Sequence, residues 1–328
     1  MNTRKFGTAA HPISEIGLGC WQFGGSFGPM TDDTAMEIMS AAVAGGINFF
    51  DTADVYGAGR SESLIGQFLK SHTGDPIRVV TKFGRRDNVY PDKYSRDAMQ
   101  ACVDEARERL GVDSLDCLQL HCVPLEVLQE KEIFDWLRDL KSAGDIREFG
   151  ASIETVEQGM FCLEQEGLAS LQVIFNVFRQ QPLPELLPAA KSKGVSIIVR
   201  LPLASGLLAG KYTRETTFTE EDHRNYNRDG AAFSVGETFA GIPFATGIEL
   251  VEELRDMLPA EMTMAQATQR WILDHEAVTT IITGASSAAQ VTDNAATSVL
   301  PPLSQETHKQ LTEFYETKVF QHIRGVYG

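Results

Sequence analysis

The stretch Phe49-Phe50-Asp51-Thr52-Ala53-Asp54-Val55-Tyr56-Gly57 decides how the rest of the chain is read. An apolar run from Ile47 to Phe50 stops at a carboxylate, Asp51. A phenol, Tyr56, follows in a segment with Gly57 and Gly59 that reads as loop. A buried parallel strand is a near-continuous apolar run that delivers polar groups at its carboxyl end. Taken alone, the pattern also fits an acid capping a turn and a tyrosine covering an edge. Two later runs end the same way, Ile77–Lys82 in an amine and Ser114–His121 in an imidazole, and that repetition favours the strand-end reading.

Working outward, strands and helices alternate along the chain. The polar, turn-rich segment Thr3–Ser14 reads as a hairpin and leads into a first strand, Glu15–Trp21. A helix capped by Thr31 or Asp32 runs to Ala44 and is stopped by Gly45-Gly46, ahead of strand Ile47–Asp51. The pattern then predicts helix Ser61–Ser71, strand Ile77–Lys82, helix Ser95–Leu110, strand Ser114–His121 and helix Glu130–Ser142. Strand Ile146–Ser152, helix Thr155–Glu166, strand Leu171–Asn176, helix Pro184–Lys193 and strand Val195–Arg200 follow. A Gly-, Thr-, Asp- and Asn-rich insertion runs over Leu203–Gly247, and its part Tyr212–Ala245 is long enough to act as a cofactor flap. Beyond it lie helices Ile248–Leu258 and Met264–His275, strand Val278–Thr283, and helices Ser287–Thr297 and Gln305–Thr317. Such alternation implies a parallel sheet, and the strand count is the one that closes a barrel. The expected fold is α/β, a (β/α)8 TIM barrel with an N-terminal hairpin and a long loop after strand 7. No linker or composition shift divides it, so residues 1–328 are expected to form a single domain.

Composition narrows the function. The chain has 328 residues, 43% hydrophobic, with a net charge of −16, which repels nucleic acid and anionic membrane surfaces. No apolar run is long enough to span a bilayer. Met1–Gly7 is charged and lacks the apolar segment of a secretory leader. Five cysteines without a disulfide-like framework favour a reducing cytoplasm. Cys117, His121 and Cys122 have no second ligand cluster, and neighbouring strand residues point to opposite faces, so no metal is expected.

In a parallel barrel the carboxyl ends of the strands carry the chemistry. Asp51, Lys82 and His121 end neighbouring strands, and Tyr56 lies just past the first of them. An ammonium lowers the pKa of a nearby phenol, a carboxylate holds that ammonium in place, and a neutral imidazole donates an N–H to a substrate oxygen. The set suits protonation of a developing alkoxide, with a cofactor supplying hydride.

Several separated segments carry a resemblance: Leu18–Gly25, Phe50–Gly57 with Ser61-Glu62, Thr81–Gly84, Leu118–His121, Pro202-Leu203 with Gly206–Tyr212, and Gly284–Ser287 through Gln290 to Asn294. Over nearly its whole length the chain resembles an aldo-keto reductase. The resemblance implies a TIM barrel that binds NADP(H) in extended form and reversibly reduces a small aldehyde or ketone. It implies Tyr56 as general acid and base, with Asp51, Lys82 and His121 as partners. For the cofactor it implies Trp21 and Asp51 near the reacting end and Ser152 and Gln172 at the nicotinamide carboxamide. Arg200 stands where many relatives place an aromatic ring. Leu203, Ser205, Gly206 and Lys211 match the segment near the pyrophosphate, and Gly284, Ser286, Gln290 and Asn294 the adenosine end. Ile153 replaces an Asn or Arg of the relatives that contacts the carboxamide; no Arg or Lys lies between Gly284 and Asn294, so NAD(H) competes with the NADP(H) that the resemblance favours.

Two competing readings are weaker. Gly17 and Gly19 with Asp51 mimic a Rossmann fingerprint, but no helix opens at the glycines and Asp51 lies too far on. A cofactor-binding regulatory subunit with little turnover would share the fold, yet the chain keeps all the catalytic residue types. For the substrate, Trp21, Tyr56, Tyr90, Val123 and the tail around Phe320 and Tyr327 offer an apolar mouth or ordinary packing. Arg85 and Arg86 read as a solvated basic turn or as partners of a substrate anion.

Overall fold

The computed structural model describes residues 1–7, 12–130 and 132–325. Short strands β1 (Thr3–Arg4) and β2 (Ile13–Ser14) pair antiparallel, as the hairpin expectation requires; the turn between them lies outside the described residues. Eight strands close a parallel barrel in chain order: β3 (Ile16–Gly19), β4 (Phe49–Asp51), β5 (Arg78–Phe83), β6 (Cys117–His121), β7 (Phe149–Ser152), β8 (Leu168–Ile174), β9 (Ser196–Arg200) and β10 (Val278–Gly284). The helices around it are α1 (Asp32–Ala44), α2 (Arg60–Ser71), α3 (Arg96–Leu110), α4 (Leu125–Glu130), α5 (Ile133–Ala143), α6 (Val156–Leu163) and α7 (Leu186–Lys193). They continue with α8 (His223–Tyr226), α9 (Phe244–Arg255), α10 (Met264–Leu273), α11 (Ala288–Ala296) and α12 (Gln305–Phe314).

Local chemistry sets many helix ends. Thr31, Ser95, Ser287 and Ser304 accept backbone N–H groups at the starts of α1, α3, α11 and α12. Thr155 with Gln158 and Thr263 with Gln266 form reciprocal capping boxes on α6 and α10. Several expected boundaries move. Strands β6 and β7 begin later than expected, because Leu115 and Ile146 pair only as an isolated bridge before the strands proper. Trp21 leaves the first strand for a 3-10 turn, Trp21–Gly24. The helix expected over Glu130–Ser142 is preceded by α4, which the Pro124 carbonyl opens by accepting from Val127 and Leu128.

Strand alternation sorts the side chains. Phe50, Val79, Leu118 and Leu120 face the helices and join the large outer core. Phe49, Val80, Cys117, Ile198 and Ile282 point into the barrel and pack with Phe6 and Ile13 of the N-terminal segment. Phe6 meets Phe49 at a ring separation of 5.5 Å, so the N-terminal segment plugs the amino end of the barrel. One step further along each strand, the same parity turns Asp51, Lys82, Gln119 and His121 inward at the open carboxyl end.

The insertion after β9 is a wall of this open end rather than a detachable flap. Leu207, Leu208, Phe239 and Ile242 are fully buried in the main core, so deleting the segment would cost stability as well as affinity. Arg324 clamps it from the C-terminal side, donating to the Gly241 and Arg228 carbonyls at 2.9 and 3.0 Å and pairing with Asp229 at 2.7 Å. On the other side the His223 ring stacks on Trp21, 4.7 Å away at 26°, and meets Phe27 edge-on at 4.5 Å.

Burial holds the His223 imidazole down at about 4, with the Asp222 carboxylate opposing. Its folded value therefore lies below the unfolded one. Below about pH 6.5 the unfolded chain takes up a proton that the folded chain refuses, so stability falls as pH drops from there towards 4. From pH 7 to pH 5 this one residue is expected to remove about 2 kcal/mol. Urea midpoints of His223→Phe and the parent at both pH values test this. An unchanged pH dependence in the variant would show that His223 is not the group responsible.

Candidate active site

Tyr56 sits where the chain leaves β4, its N–H bonded to the Ala53 carbonyl at 3.1 Å. Gly24 makes this placement possible. A Cβ on Gly24 would lie 2.6 Å from the Gly57 nitrogen and 2.7 Å from the Tyr56 carbonyl carbon, so only glycine lets the two loops touch. The Tyr56 ring is flanked by Trp21 at 5.9 Å, roughly parallel, and by His121 at 6.0 Å, edge-on. The Lys82 ammonium lies 5.1 Å from the ring centroid.

Beneath the phenol, Lys82 is completely buried and donates to Asp51 Oδ1 at 2.6 Å and the Thr52 carbonyl at 2.8 Å. The second Asp51 oxygen accepts from Gln172 Nε2 at 2.7 Å. Gln172 Nε2 also donates to Gln119 Oε1 at 3.0 Å, and Gln119 Nε2 to Ser170 Oγ at 3.0 Å. The acid, the amine, the imidazole and the phenol thus converge as the strand ends suggested.

Their electrostatics differ from the sequence expectation in one respect. Burial pushes the Tyr56 phenol well above the usual tyrosine range, Asp51 and Glu237 push it further up, and Arg200 opposes them. The shift is therefore upward rather than downward, although the Lys82 ammonium, paired with Asp51 at 2.6 Å, lies behind the ring. His121 meets the expectation of a neutral imidazole. Burial holds it well below its ordinary value, and the cations Lys82, Arg85 and Arg200 add to the effect. Its Nδ1 is buried with no hydrogen-bond partner.

Above the phenol opens a cavity of about 380 Å³. Tyr56, Asp51, His121 and Trp21 line it, as do Gln172, Arg200, Leu203, Ser205, Gly206, Lys211, Gly284, Ser286, Gln290 and Asn294. Two expected residues are not on its wall. Lys82 lies below Asp51. Ser152 turns its hydroxyl to Gln172 Oε1 at 3.5 Å and sits 3.6 Å from Cys122 Sγ, so it supports Gln172 from behind. Sequence reasoning missed other wall residues: Phe27, Arg224, Glu237, Gln266, Gln269 and Asp293. These come from loops and helices with no strand-end signal, and only Arg224 and Glu237 belong to the insertion that the sequence marked out.

The expected apolar mouth is only partly present. Tyr90 and Phe320 are exposed surface groups, Val123 is core, and Tyr327 lies outside the described residues. Arg85 and Arg86 are not a solvated turn. Arg86 pairs with Asp54 at 2.6 Å and Glu105 at 2.7 Å; Arg85 lies 3.4 Å from Glu154 and 3.8 Å from Glu237. Arg200 adds a 3.4 Å pair with Glu237 and donates to the Ile153 carbonyl at 3.2 Å. The Cys122 thiol and the carboxylates of Glu154 and Glu237 come within 4.8 Å of one another, but the two guanidinium groups already hold those carboxylates. Immediately after His121 and Arg200 the backbone turns out through left-handed Cys122 and Leu201, with φ of 50° and 53°. Such residues cost about 1–3 kcal/mol each and persist only where the surroundings impose them.

The wall fits an extended dinucleotide. At one end the buried His121 Nδ1 and Arg200 Nε lack protein partners. Midway, Ser205 and Gly206 are left-handed, with φ of 57° and 92°, beside the cations Lys211 and Arg224. Cations at this point of the wall suit an anionic diphosphate. At the other end the lining is amide- and hydroxyl-rich.

A family model described as the aldo/keto reductase family matches residues 15–316. An aldo-keto reductase of Bacillus subtilis, YhdN, is 29% identical over 85% of this chain and 83% of its own. The NADH-specific methylglyoxal reductase of Escherichia coli is 27% identical over 90% and 93%. The structure of glycerol dehydrogenase AKR11B4 from Gluconobacter oxydans superposes with a TM-score of 0.79 at 25% identity, over 99% and 98% of the two chains.

Proposed function

We propose, from the premise that this chain belongs to the aldo/keto reductase family, that Tyr56 is the general acid and base of a reversible aldehyde or ketone reduction. As a member of that family the chain is an NAD(P)H-dependent oxidoreductase acting on small-molecule carbonyl compounds. No helix among the described residues is long and apolar enough to cross a membrane.

The reading rests chiefly on one observation: a partly buried phenol stands over a buried Lys82–Asp51 pair and beside an imidazole held neutral. Hydride is what the nicotinamide cofactor supplies when bound. His121 donates an N–H to the substrate oxygen and orients the carbonyl. Tyr56, protonated at neutral pH, gives its proton to that oxygen as negative charge develops there. Lys82, behind the ring, stabilises the phenolate left behind, and Asp51 keeps the ammonium in place. In the reverse direction the same phenolate takes the proton from the alcohol. Gln172 and Arg200 hold the nicotinamide end, Leu203, Ser205, Gly206 and Lys211 the diphosphate, and Ser286, Gln290 and Asn294 the adenosine. Trp21, Phe27 and His223 close the wall and limit access of water.

The test follows nicotinamide absorbance on mixing the protein with NADPH or NADH and 4-nitrobenzaldehyde. Multiple turnovers are expected. Tight dinucleotide binding with no turnover across a panel of aldehydes and ketones would instead identify a cofactor-binding subunit.

A further inference from the structure

We infer that this chain binds NAD(H) in preference to NADP(H), because the end of its cavity that receives the adenosine ribose offers a carboxylate and no cation. The inference rests on the oxidoreductase reading above and decides between the cofactors that reading leaves open. With the reacting end fixed at Tyr56 and His121, a dinucleotide must place its adenosine at the opposite end of the cavity. That end lies between α10 and α11, and Gln266, Gln269, Ser286, Gln290, Asp293 and Asn294 line it.

The two cofactors differ there by one phosphate monoester, a near-dianion at neutral pH, which proteins bind with Arg or Lys. From Gly284 to Thr307 the sequence contains no Lys, Arg or His. The charged group of α11 on the cavity wall is Asp293. Helix α1, which packs along α11, contributes Asp32, Asp33 and Glu37 and no cation. On α10, Arg270 is committed to Asp274 at 2.8 Å and is not part of the wall.

The start of α11 does not substitute for a cation. Free backbone N–H groups at a helix start favour anions, but two of those here are already used. The Ser286 N–H donates to Gln290 Oε1 at 2.8 Å and the Gln290 N–H to Ser287 Oγ at 3.4 Å. The Ser286 hydroxyl also donates to Gln290 Oε1, at 3.1 Å. Asn294 Oδ1 accepts from Gln269 Nε2 at 2.9 Å. These amides and hydroxyls suit a neutral ribose diol.

Among the described residues, the cations that do line the cavity are Arg200, Lys211 and Arg224. Arg200 sits at the reacting end and is paired with Glu237, and Arg224 is held by Asp222 at 2.5 Å. Lys211 follows the left-handed turn that faces the diphosphate, which both cofactors share. It therefore contributes equally to both.

Fluorescence titration of the full chain with NADH and NADPH, without substrate, reads this preference independently of turnover. NADH is expected to bind on the order of tenfold more tightly or better, as a charged group without a partner requires. Competition by 5′-AMP and adenosine 2′,5′-bisphosphate isolates the same difference at the adenosine end, and 5′-AMP should compete better. Lowering the pH through 6 halves the phosphomonoester charge and should narrow the gap. Gln290→Arg is expected to shift the ratio of NADPH to NADH affinity by about tenfold towards NADPH. Lys211→Met should weaken both cofactors alike. Equal or tighter NADPH binding in the parent, or a Lys211→Met loss confined to NADPH, would overturn the preference while leaving the oxidoreductase reading intact. Failure of both dinucleotides to bind would overturn both.

Discussion

Tyr56→Phe is expected to lower kcat by about 10²–10⁴-fold and to leave dinucleotide affinity nearly unchanged. The substitution removes one oxygen and keeps the ring. The roughly parallel packing on Trp21 at 5.9 Å and the edge contact with His121 at 6.0 Å both survive. The Lys82–Asp51 pair below is untouched, because Lys82 donates to Asp51 and the Thr52 carbonyl. What disappears is the proton. A structural role for the tyrosine would lower stability and kcat together. A catalytic role lowers kcat alone, and stopped-flow turnover alongside urea unfolding midpoints separates the two. Retained kcat would end the assignment.

Lys82→Met should cost about 3–5 kcal/mol of stability and abolish most turnover. The amine is wholly buried, and its loss strands the Asp51 carboxylate with Gln172 Nε2 as its remaining side-chain donor. A buried charge without its counter-charge costs far more than the pair contributes when intact. The double variant Lys82→Met/Asp51→Leu should therefore unfold at a higher urea concentration than Lys82→Met alone, while remaining inactive. Such a cycle isolates the coupling between the two groups. Additive losses in the cycle would mean that the pair is not coupled, and its place under the phenol would then be incidental.

These groups were legible in the sequence because a parallel strand advertises where it ends. Asp51, Lys82 and His121 each close an apolar run, and strand parity, fixed by neighbours such as Phe49 and Val80, turns them all inward. Strand starts are less visible. Leu115 and Ile146 look like strand residues but bridge the chain just before the ladder begins. The walls supplied by the insertion were harder still. Phe27 and Arg224 meet only through tertiary packing, with the guanidinium 5.1 Å from the ring, and no local period encodes that. Arg85 and Arg86 were misread because their partners lie far away in the chain: Glu154 and Glu237 for one, Asp54 and Glu105 for the other. The direction of the Tyr56 shift depends on burial and on the nearness of Asp51 and Glu237, neither of which residue identity reveals.

The amide ladder under the site, from Asp51 through Gln172 and Gln119 to Ser170, has a polarity. Both Gln172 protons are spoken for, so its oxygen must face Ser152, and Gln119 must present its own oxygen to Gln172. One rotated amide would set oxygen against oxygen along the whole row. Gln172→Glu, isosteric yet lacking donors, would face the Asp51 carboxylate with another acid and reverse that alignment. The row beneath the phenol therefore admits one amide orientation, set at one end by the Asp51 carboxylate and at the other by the Ser170 hydroxyl.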